Sequence, residues 1–267
     1  MFLPFKISAE SLTCLGYDKN MKYCHAEANS KDHLDQLRSY LSSTEGVIDG
    51  DCLAKLWFPN DSYHVFISHS HSDLNMAHFL AKWLETNCKL KCFIDADVWE
   101  NAFDLLKELD KSHCDNWKAD DIWFYDYAQH NLCAAHVYSM LSIALMEAID
   151  NIVCPIFIET DNSVPLKDAV QDKTLSPWIF EEVSFMNKLE RKTPCWMADT
   201  KYFSTKEKSI LLEKAQDSLK ISHTIPTKGL VKINSTNIRT MRGKEKLHAL
   251  KALYFSIFSI CNSVYQG

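Results

Sequence analysis

The residues best placed for chemistry lie in Ser176–Val183, which reads SPWIFEEV. A proline directly after a serine is typical of the first turn of a helix. On that helix Trp178 and Glu182 are four residues apart, so an indole ring and a carboxylate share one face. We expect Phe180 and Val183 to face the core. A ring for stacking and a carboxylate for sugar hydroxyls suit a nucleotide, whereas the alternative interpretation is an amphipathic helix with a surface glutamate.

Polar side chains also follow each of three predicted strands. Ligands of open parallel sheets bind beyond the carboxyl ends of the strands, where loops and helix starts converge. The three segments at this position are Ser68–Asp73, Asp95–Glu100 and Asp161–Glu182. Exposed loops are polar in any protein, but the common location of these three favours one site. The side chains that we expect to contact a ligand there are Ser68, His69, Ser70, Asp97, Trp99 and Trp178.

The elements that must position these residues follow from hydrophobic periodicity. Strand-like runs alternate with amphipathic segments, which is typical of parallel βαβ units. We expect Ser72 or Asp73 to cap the helix after the first strand by accepting hydrogen bonds from its free amides. The sequence therefore predicts an α/β fold with a central parallel sheet and helices on both faces. The predicted strands cover 63–67, 91–95 and 151–159, and the predicted helices cover 74–87, 102–111, 136–150 and 176–189.

Three regions are expected along the chain. Residues 1–61 form an irregular N-terminal extension, and residues 62–200 form the α/β domain. Residues 112–135, rich in Asp and aromatic side chains, interrupt that domain as an inserted or irregular segment. Residues 201–267 form a C-terminal helical extension with a strand-like stretch, KGLVKIN, at 228–234.

Glycine is scarce, because the chain has only 6 in 267 residues and none between 51 and 228. The dinucleotide fingerprint GxGxxG, the P-loop and the GxSxG nucleophile elbow each need a backbone without Cβ at defined points. The central body of the chain therefore excludes all three. Any nucleotide bound there must be held by side chains.

Charge and composition limit the partners. With 29 basic and 35 acidic residues the net charge is −6, which argues against a broad nucleic-acid surface. The N-terminus lacks the pattern of a signal peptide, and the ten cysteines show no C-x-x-C spacing, so we expect reduced thiols and a cytoplasmic location. The apolar stretch Ala252–Val264 is shorter than the ~20 residues of a membrane span, so we expect a buried helix and no membrane partner.

One group of cysteines and histidines raises the question of a metal. His113 and Cys114 precede His130, Cys133 and His136, and zinc accepts such ligands. The residues are not paired as C-x-x-C and H-x-x-x-H, however, and His130 and His136 would diverge on a helix. We therefore expect ordinary packing and no metal, and no neighbourhood in the sequence favours a cysteine nucleophile.

Four blocks of the chain resemble a Toll/interleukin-1 receptor (TIR) domain, most closely the bacterial anti-phage kind. They are FISHSHSD, FIDADVW, an apolar helix ending in AID before IVCPIFIE, and SPWIFEEV, in the order of the family and within residues 62–200. The resemblance implies a flavodoxin-like fold. It also implies that Glu182, four residues after Trp178, is the catalytic residue that cleaves NAD. Two features depart from the family: the 112–135 segment is longer, and the loop after FID lacks the common R-D-x-x-P-G.

The resemblance implies an NAD-cleaving enzyme of bacterial defence, similar to the TIR components of Thoeris-like systems. Such an enzyme uses NAD as substrate, needs no cofactor, and makes an ADP-ribose-derived signal, cyclic or conjugated, that reaches a separate effector. The resemblance further implies a homo-oligomer formed through TIR contacts. Two alternatives stay open: a non-enzymatic TIR assembly module, and an enzyme similar to nucleoside deoxyribosyltransferases.

Overall fold

A computed structural model of the chain describes residues 3–24, 30–43, 47–58, 62–98, 102–119, 122–167, 172–191 and 222–264. The chain forms two compact units. The first, here named the sheet unit, comprises Met1–Tyr23, Tyr63–Cys92 and Ile149–Gly267. The second, the hairpin unit, comprises Cys24–Ser62 and Phe93–Ala148.

The described residues contain short strands and helices of very different lengths. The strands are β1 (Phe5–Ser8), β2 (Val65–Ser68), β3 (Cys92–Phe93), β4 (Asn116–Ala119), β5 (Ile122–Tyr125), β6 (Cys154–Glu159), β7 (Leu166–Lys167), β8 (Asp172–Thr174), β9 (His223–Ile225) and β10 (Val231–Ile233). The helices are α1 (Ala9–Leu15), α2 (Ser30–Ser43), α3 (Gly50–Trp57), α4 (Leu74–Cys88), α5 (Asp95–Val98), α6 (Ala102–His113), α7 (Tyr127–Asn151), α8 (Pro177–Lys188), α9 (Ser235–Arg239) and α10 (Lys246–Val264).

The central sheet is all-parallel and has the strand order β10-β1-β6-β2-β3, with helices flanking it. This arrangement confirms the predicted α/β class and its parallel sheet. Two small antiparallel sheets accompany it: the hairpin β4-β5, and the sheet β7-β8-β9. The central strand β6 is buried along CPIFI because it has a neighbour on each side, and parallel sheets are typically covered on both faces.

The strand β1 lies inside the central sheet. Phe5 pairs with Val231 of β10 on one side and with Ile156 of β6 on the other. The Phe5 ring is fully buried and lies 5.3 Å from the ring of Tyr254. The expectation that this part of the chain is irregular was wrong. Segments from both expected extensions, 1–61 and 201–267, thus supply strands of the sheet.

Helix α4 shows why the predicted helices formed where the periodicity placed them. Ala77, Leu80, Ala81 and Leu84 are all buried, at the spacing that puts side chains on one helix face. The helix packs on β2 and ends at Cys88, and the next residue, Lys89, caps it with a left-handed φ of 54°. The prediction of a helix over 74–87 is confirmed to within one residue.

Residues 112–135 are not irregular, and whether they are an insertion stays a prediction. That segment was expected to be inserted or irregular, but it contains the hairpin β4-β5 and the first turns of α7. Asp115 and Asp126 join the base of the hairpin, because the Asp126 N–H donates to the Asp115 carbonyl at 2.9 Å. Helix α7 therefore begins nine residues before the predicted start at 136, directly after the hairpin.

Helix α7 is the one helix of the described residues that is both long enough and apolar enough to cross a membrane. Its most apolar window of 18 residues has a mean hydropathy of 1.6, and 28% of that window is buried. The core helix of a soluble protein passes the same test, so the absence of a membrane partner stays a prediction. The hydropathy of the sequence had drawn attention only to Ala252–Val264.

A three-residue ion cluster links α2 to α6 and makes stability depend on pH. Arg38 Nε lies 3.0 Å from Glu108 Oε2, and Lys111 Nζ lies 2.7 Å from Glu108 Oε1. The hydrogen bond from Arg38, with help from Lys111, lowers the pKa of Glu108 to about 2. Because this pKa is lower in the folded state than in the unfolded chain, the ionised carboxylate stabilises the fold at every pH above the ordinary carboxyl pKa. The stabilisation is lost as the pH falls toward 2.

We therefore expect Glu108→Gln to lower the free energy of unfolding by about 1 kcal/mol at pH 7, since exposed ion pairs contribute little. The difference from wild type should shrink at pH 3, because the unfolded chain is then already protonated. Urea unfolding of both proteins at the two pH values measures it. If the difference in free energy of unfolding between wild type and Glu108→Gln were larger at pH 3 than at pH 7, the stabilising role of ionised Glu108 would be contradicted.

Candidate functional site

A buried hydroxyl–carboxylate pair lies at the carboxyl end of β2. Ser68 is the last residue of β2, and its Oγ donates a hydrogen bond to Oε2 of Glu182 on α8. Ser68 is 0% exposed and Glu182 is 3% exposed. The strand β2 is an inner strand, between β6 and β3. Because the pair lies at the carboxyl end of β2, it is on the side of the sheet where ligands of parallel sheets bind.

Helix α8 holds Glu182 in this position. Ser176 caps the helix by accepting a hydrogen bond from the Ile179 N–H at 3.3 Å, and Pro177 occupies the first turn. Ile179 and Val183 are buried, and the helix packs against β2, β8 and β9. The same packing aims Glu182 at the end of β2.

The faces of α8 were predicted only in part. Val183 is buried as expected, but Phe180 was wrongly assigned to the core. The Phe180 ring is half-buried and stacks on the imidazole of His223, with 4.4 Å between ring centroids and 22° between ring planes. The partner of Phe180 comes from β9, which no local pattern around α8 indicates.

Three further predicted residues lie close along the chain to this pair. His69 is buried, with its Nδ1 3.4 Å from the carbonyl oxygen of Ile67. Ser70 is half-buried and precedes a single 3-10 turn. Trp178 is half-buried in the first turn of α8, one helical turn before Glu182. The structure thus brings Ser68 and Glu182 into contact and keeps His69, Ser70 and Trp178 on the same segments.

The remaining two predicted residues belong to the segment after β3. Asp97 is half-buried in the short helix α5 of the hairpin unit, where its N–H donates to the Ile94 carbonyl at 3.0 Å. Trp99 lies outside the described residues. A ligand contact by either residue stays a prediction.

Asp73 has a role that the sequence analysis missed. Its carboxylate accepts a hydrogen bond of 2.5 Å from Thr160 Oγ1 and one of 2.7 Å from Asn162 Nδ2. Of the two expected capping residues, Ser72 and Asp73, it is Asp73 that occupies the N-cap position of α4, but the expected capping hydrogen bond from its side chain is absent. Ser163 completes the turn by donating to the Ile158 carbonyl at 3.1 Å. These contacts join the loop after β2 to the loop after β6.

The run Thr160–Ser163 is typical of turns, so the sequence does indicate a turn after β6. The partner of that turn is not indicated, because Asp73 is 87 residues away from Thr160 along the chain.

We expect Asp73→Ala to lower the free energy of unfolding by about 1.5–3 kcal/mol, because it leaves the hydroxyl of Thr160 and the amide of Asn162 without their charged acceptor. Thermal or urea unfolding measures the change. Ser72→Ala is the matched control, since Ser72 is exposed and adjacent in the chain, and it should stay within about 0.5 kcal/mol of wild type. Equal stability of the two variants would show that Asp73 does not join the loops.

Two buried thiols on the central sheet, Cys92 and Cys154, are poorly suited to act as nucleophiles. Burial raises the pKa of Cys92 and of Cys154 well above the ordinary thiol value. A thiol in such a place stays protonated and inert, because the thiolate is the reactive form. A cysteine nucleophile on these two strands is thereby disfavoured.

The Glu182 carboxylate, held by Ser68, is suited to stabilise a positive charge that develops on a bound substrate. A carboxylate shielded from water interacts strongly with a cation that forms beside it, and it also accepts hydrogen bonds from sugar hydroxyls. The carboxylate is covered in this conformation. A shallow groove of about 380 Å³ is lined by residues 19–23 and by Leu74, Asn75 and His78, and neither Ser68 nor Glu182 lines it.

Comparison with known proteins adds no relative to this description. No family model matches the chain, and neither a curated protein nor a solved structure matches it.

Proposed function

We propose that the chain is a TIR-type enzyme that cleaves NAD at the bond between nicotinamide and ribose, with Glu182 as its catalytic carboxylate. The hydrogen bond between Ser68 and Glu182 carries the proposal. It joins two of the four blocks that resemble the family, although the residues are 114 positions apart. The contact involves the buried carboxylate to which the resemblance assigns catalysis.

The sheet supports the same proposal. Strands β3, β2 and β6 lie side by side, which is the arrangement of the second, first and third strands of a flavodoxin-like sheet. The positions beyond β6 are held by β1 and β10, which come from outside the 62–200 segment. A TIR-like sheet completed by both ends of the chain fits this order.

The proposed reaction uses one carboxylate. Cleavage passes through an oxocarbenium-like state with positive charge on C1′ and the ring oxygen, as in glycoside hydrolysis. Glu182 stabilises that charge, while nicotinamide leaves without an acid because it is already cationic. Attack on C1′ by water gives ADP-ribose, attack by the adenine of the same molecule gives a cyclic isomer, and an outside nucleophile gives a conjugate.

Ser68 has a defined part in this scheme. Its hydroxyl donates a hydrogen bond to Oε2 of Glu182. In the proposed complex, a ribose hydroxyl of NAD donates to that oxygen instead. Substrate entry must therefore displace the Ser68 hydrogen bond and uncover the carboxylate. Trp178, one turn away, offers a ring for stacking, so NAD is held by side chains without a glycine-rich loop.

The biological role follows from the resemblance. We propose that the enzyme acts in bacterial anti-phage defence, assembles through TIR contacts, and sends an ADP-ribose-derived signal to a separate effector.

Side-by-side substrate assays separate this proposal from the deoxyribosyltransferase alternative. The purified full chain is incubated with NAD, and separately with a deoxynucleoside plus a free base, and the products are identified by chromatography and mass spectrometry. We expect nicotinamide and an ADP-ribose-derived product from NAD and no base exchange. Base exchange without nicotinamide release would overturn the proposal in favour of the alternative.

A non-enzymatic assembly module is the second candidate, and one observation favours it. Ser68 and Glu182 are both buried, at 0% and 3% exposed, as residues with a purely structural role commonly are. Self-association without NAD turnover, including in extract of phage-infected cells, would support the module and contradict the enzyme.

A further inference from the structure

Three side chains of metal-ligand type converge in the hairpin unit. Asp110 lies near the end of α6, Cys114 follows that helix, and Cys133 lies on α7. One ligand atom from each lies within 4.8 Å of the other two. Cys114 Sγ is 3.8 Å from Cys133 Sγ and 3.4 Å from Asp110 Oδ1.

The two separations that involve Cys114 Sγ match the edges of a tetrahedral zinc site. With Zn–S bonds of about 2.3 Å and Zn–O bonds of about 2.1 Å, tetrahedral angles put two sulfurs about 3.8 Å apart and a sulfur and an oxygen about 3.6 Å apart. The two edges that meet at Cys114 Sγ are thus within a few tenths of an ångström of the tetrahedral values, and the third edge, between Cys133 and Asp110, is at most 4.8 Å.

His130 supports the carboxylate from its other side. Its Nδ1 lies 2.8 Å from Asp110 Oδ2, so one oxygen of Asp110 contacts the histidine and the other contacts Cys114. Carboxylates that bind metals are commonly hydrogen-bonded in this way, which fixes their orientation.

The two helix ends that carry these residues are tied together. Gln129 Nε2 donates to Asp115 Oδ2 at 3.0 Å, and the Gln129 N–H donates to Asp126 Oδ1 at 2.9 Å. His130 and Cys133 are three residues apart on one face of α7, and Cys114 lies just after α6, where its N–H donates to the Asp110 carbonyl at 3.0 Å. The base of the hairpin thus fixes two ligand-bearing faces toward each other.

We propose that Asp110, Cys114 and Cys133 bind one Zn²⁺ ion, with water in the fourth position and with His130 orienting Asp110. Thiolates select zinc over magnesium and calcium, which prefer oxygen ligands. Each thiol gives its proton to solvent as the metal–sulfur bond forms, so three negative ligands face the divalent ion. The ion joins the end of α6 to the beginning of α7 and stabilises the hairpin between them.

The earlier expectation of no metal rested on another grouping. It counted His113 and His136, which are both exposed, and it did not include the carboxylate of Asp110. Asp110 becomes part of the cluster only because the hairpin β4-β5 brings the first turns of α7 back to the end of α6.

Metal titration of the full chain tests the site. The protein is stripped with a chelator under reducing conditions and titrated with Zn²⁺ against a chromophoric competitor, and Co²⁺ is added separately to detect the cobalt–thiolate charge-transfer band. We expect one ion per chain and the cobalt band. His130→Gln should weaken zinc affinity by about 10- to 100-fold. Cys114→Ser and Cys133→Ser should weaken it further and reduce the band.

Cys52→Ser is the matched control, because Cys52 is an exposed thiol of the same unit, and it should bind zinc like wild type. Circular dichroism of the metal-free variants separates loss of binding from loss of fold, and the cobalt band of His130→Gln, which keeps both thiols, provides a second measure. Absence of the band in folded wild-type protein would overturn the proposal. The proposal would also be overturned if protein purified without reductant contained a Cys114–Cys133 disulfide and still failed to bind zinc after that disulfide was reduced.

Discussion

Glu182→Gln is expected to reduce nicotinamide release from NAD by about 100- to 1000-fold, the usual cost of removing one group that stabilises charge in a transition state. The amide has nearly the shape of the carboxylate and still accepts a hydrogen bond from Ser68. It lacks the negative charge that faces C1′ in the proposed reaction. The loss should therefore appear in kcat, measured by chromatography of released nicotinamide.

Glu181→Gln is the control for this experiment. It makes the same chemical change at the neighbouring position, which is half-buried, whereas the carboxylate that accepts the hydrogen bond from Ser68 is that of Glu182. We expect its turnover to stay within about threefold of wild type, a barrier change below 1 kcal/mol. Circular dichroism and thermal unfolding establish that both variants are folded. Equal rates for Glu182→Gln and wild type would remove Glu182 from catalysis.

Phe5→Ala is expected to lower the free energy of unfolding by about 3–5 kcal/mol, the range for deleting a buried aromatic ring from a core. Phe5 is fully buried in β1, between β10 and β6, and its ring lies against Tyr254. The loss of ring contacts leaves a cavity in the centre of the sheet unit. Urea unfolding followed by circular dichroism measures the change.

Phe255→Ala controls for the removal of a phenylalanine from the same unit. Phe255 is adjacent to Tyr254 on α10 but 50% exposed, so we expect a loss of well under half that of Phe5→Ala. A small effect of Phe5→Ala would mean that residues 5–8 are a dispensable extension. That result would contradict the strand order of the central sheet.

Elements with strong periodicity were predicted well from the sequence. Helices α4 and α6 begin at the predicted residues, and α8 begins one residue after Ser176 because its proline marks the first turn. These elements carry enough residues for one face to be distinguished from the other. They also carry Glu182, so the helix that holds the candidate site was identified from local pattern alone.

Contacts between distant segments were not predictable in the same way. Strands β1 and β10 have four and three residues, too few for a periodic signal, and their place beside β6 depends on pairing across the chain. The partner of Asp73 comes from the turn after β6, and Asp110 meets two cysteines only because the hairpin β4-β5 returns the start of α7 to the end of α6. In each case the contact joins segments that are far apart in the sequence, and the local spacing of residues does not specify which segments will meet.

The most direct measurement is nicotinamide formation from NAD by wild-type protein, Glu182→Gln and Glu181→Gln, assayed together at matched concentrations and with extract of infected cells present. If Glu182 stabilises the charge on ribose, wild type and Glu181→Gln release nicotinamide at similar rates and Glu182→Gln releases almost none. Similar release by all three proteins, or by none of them, would contradict NAD cleavage at this site.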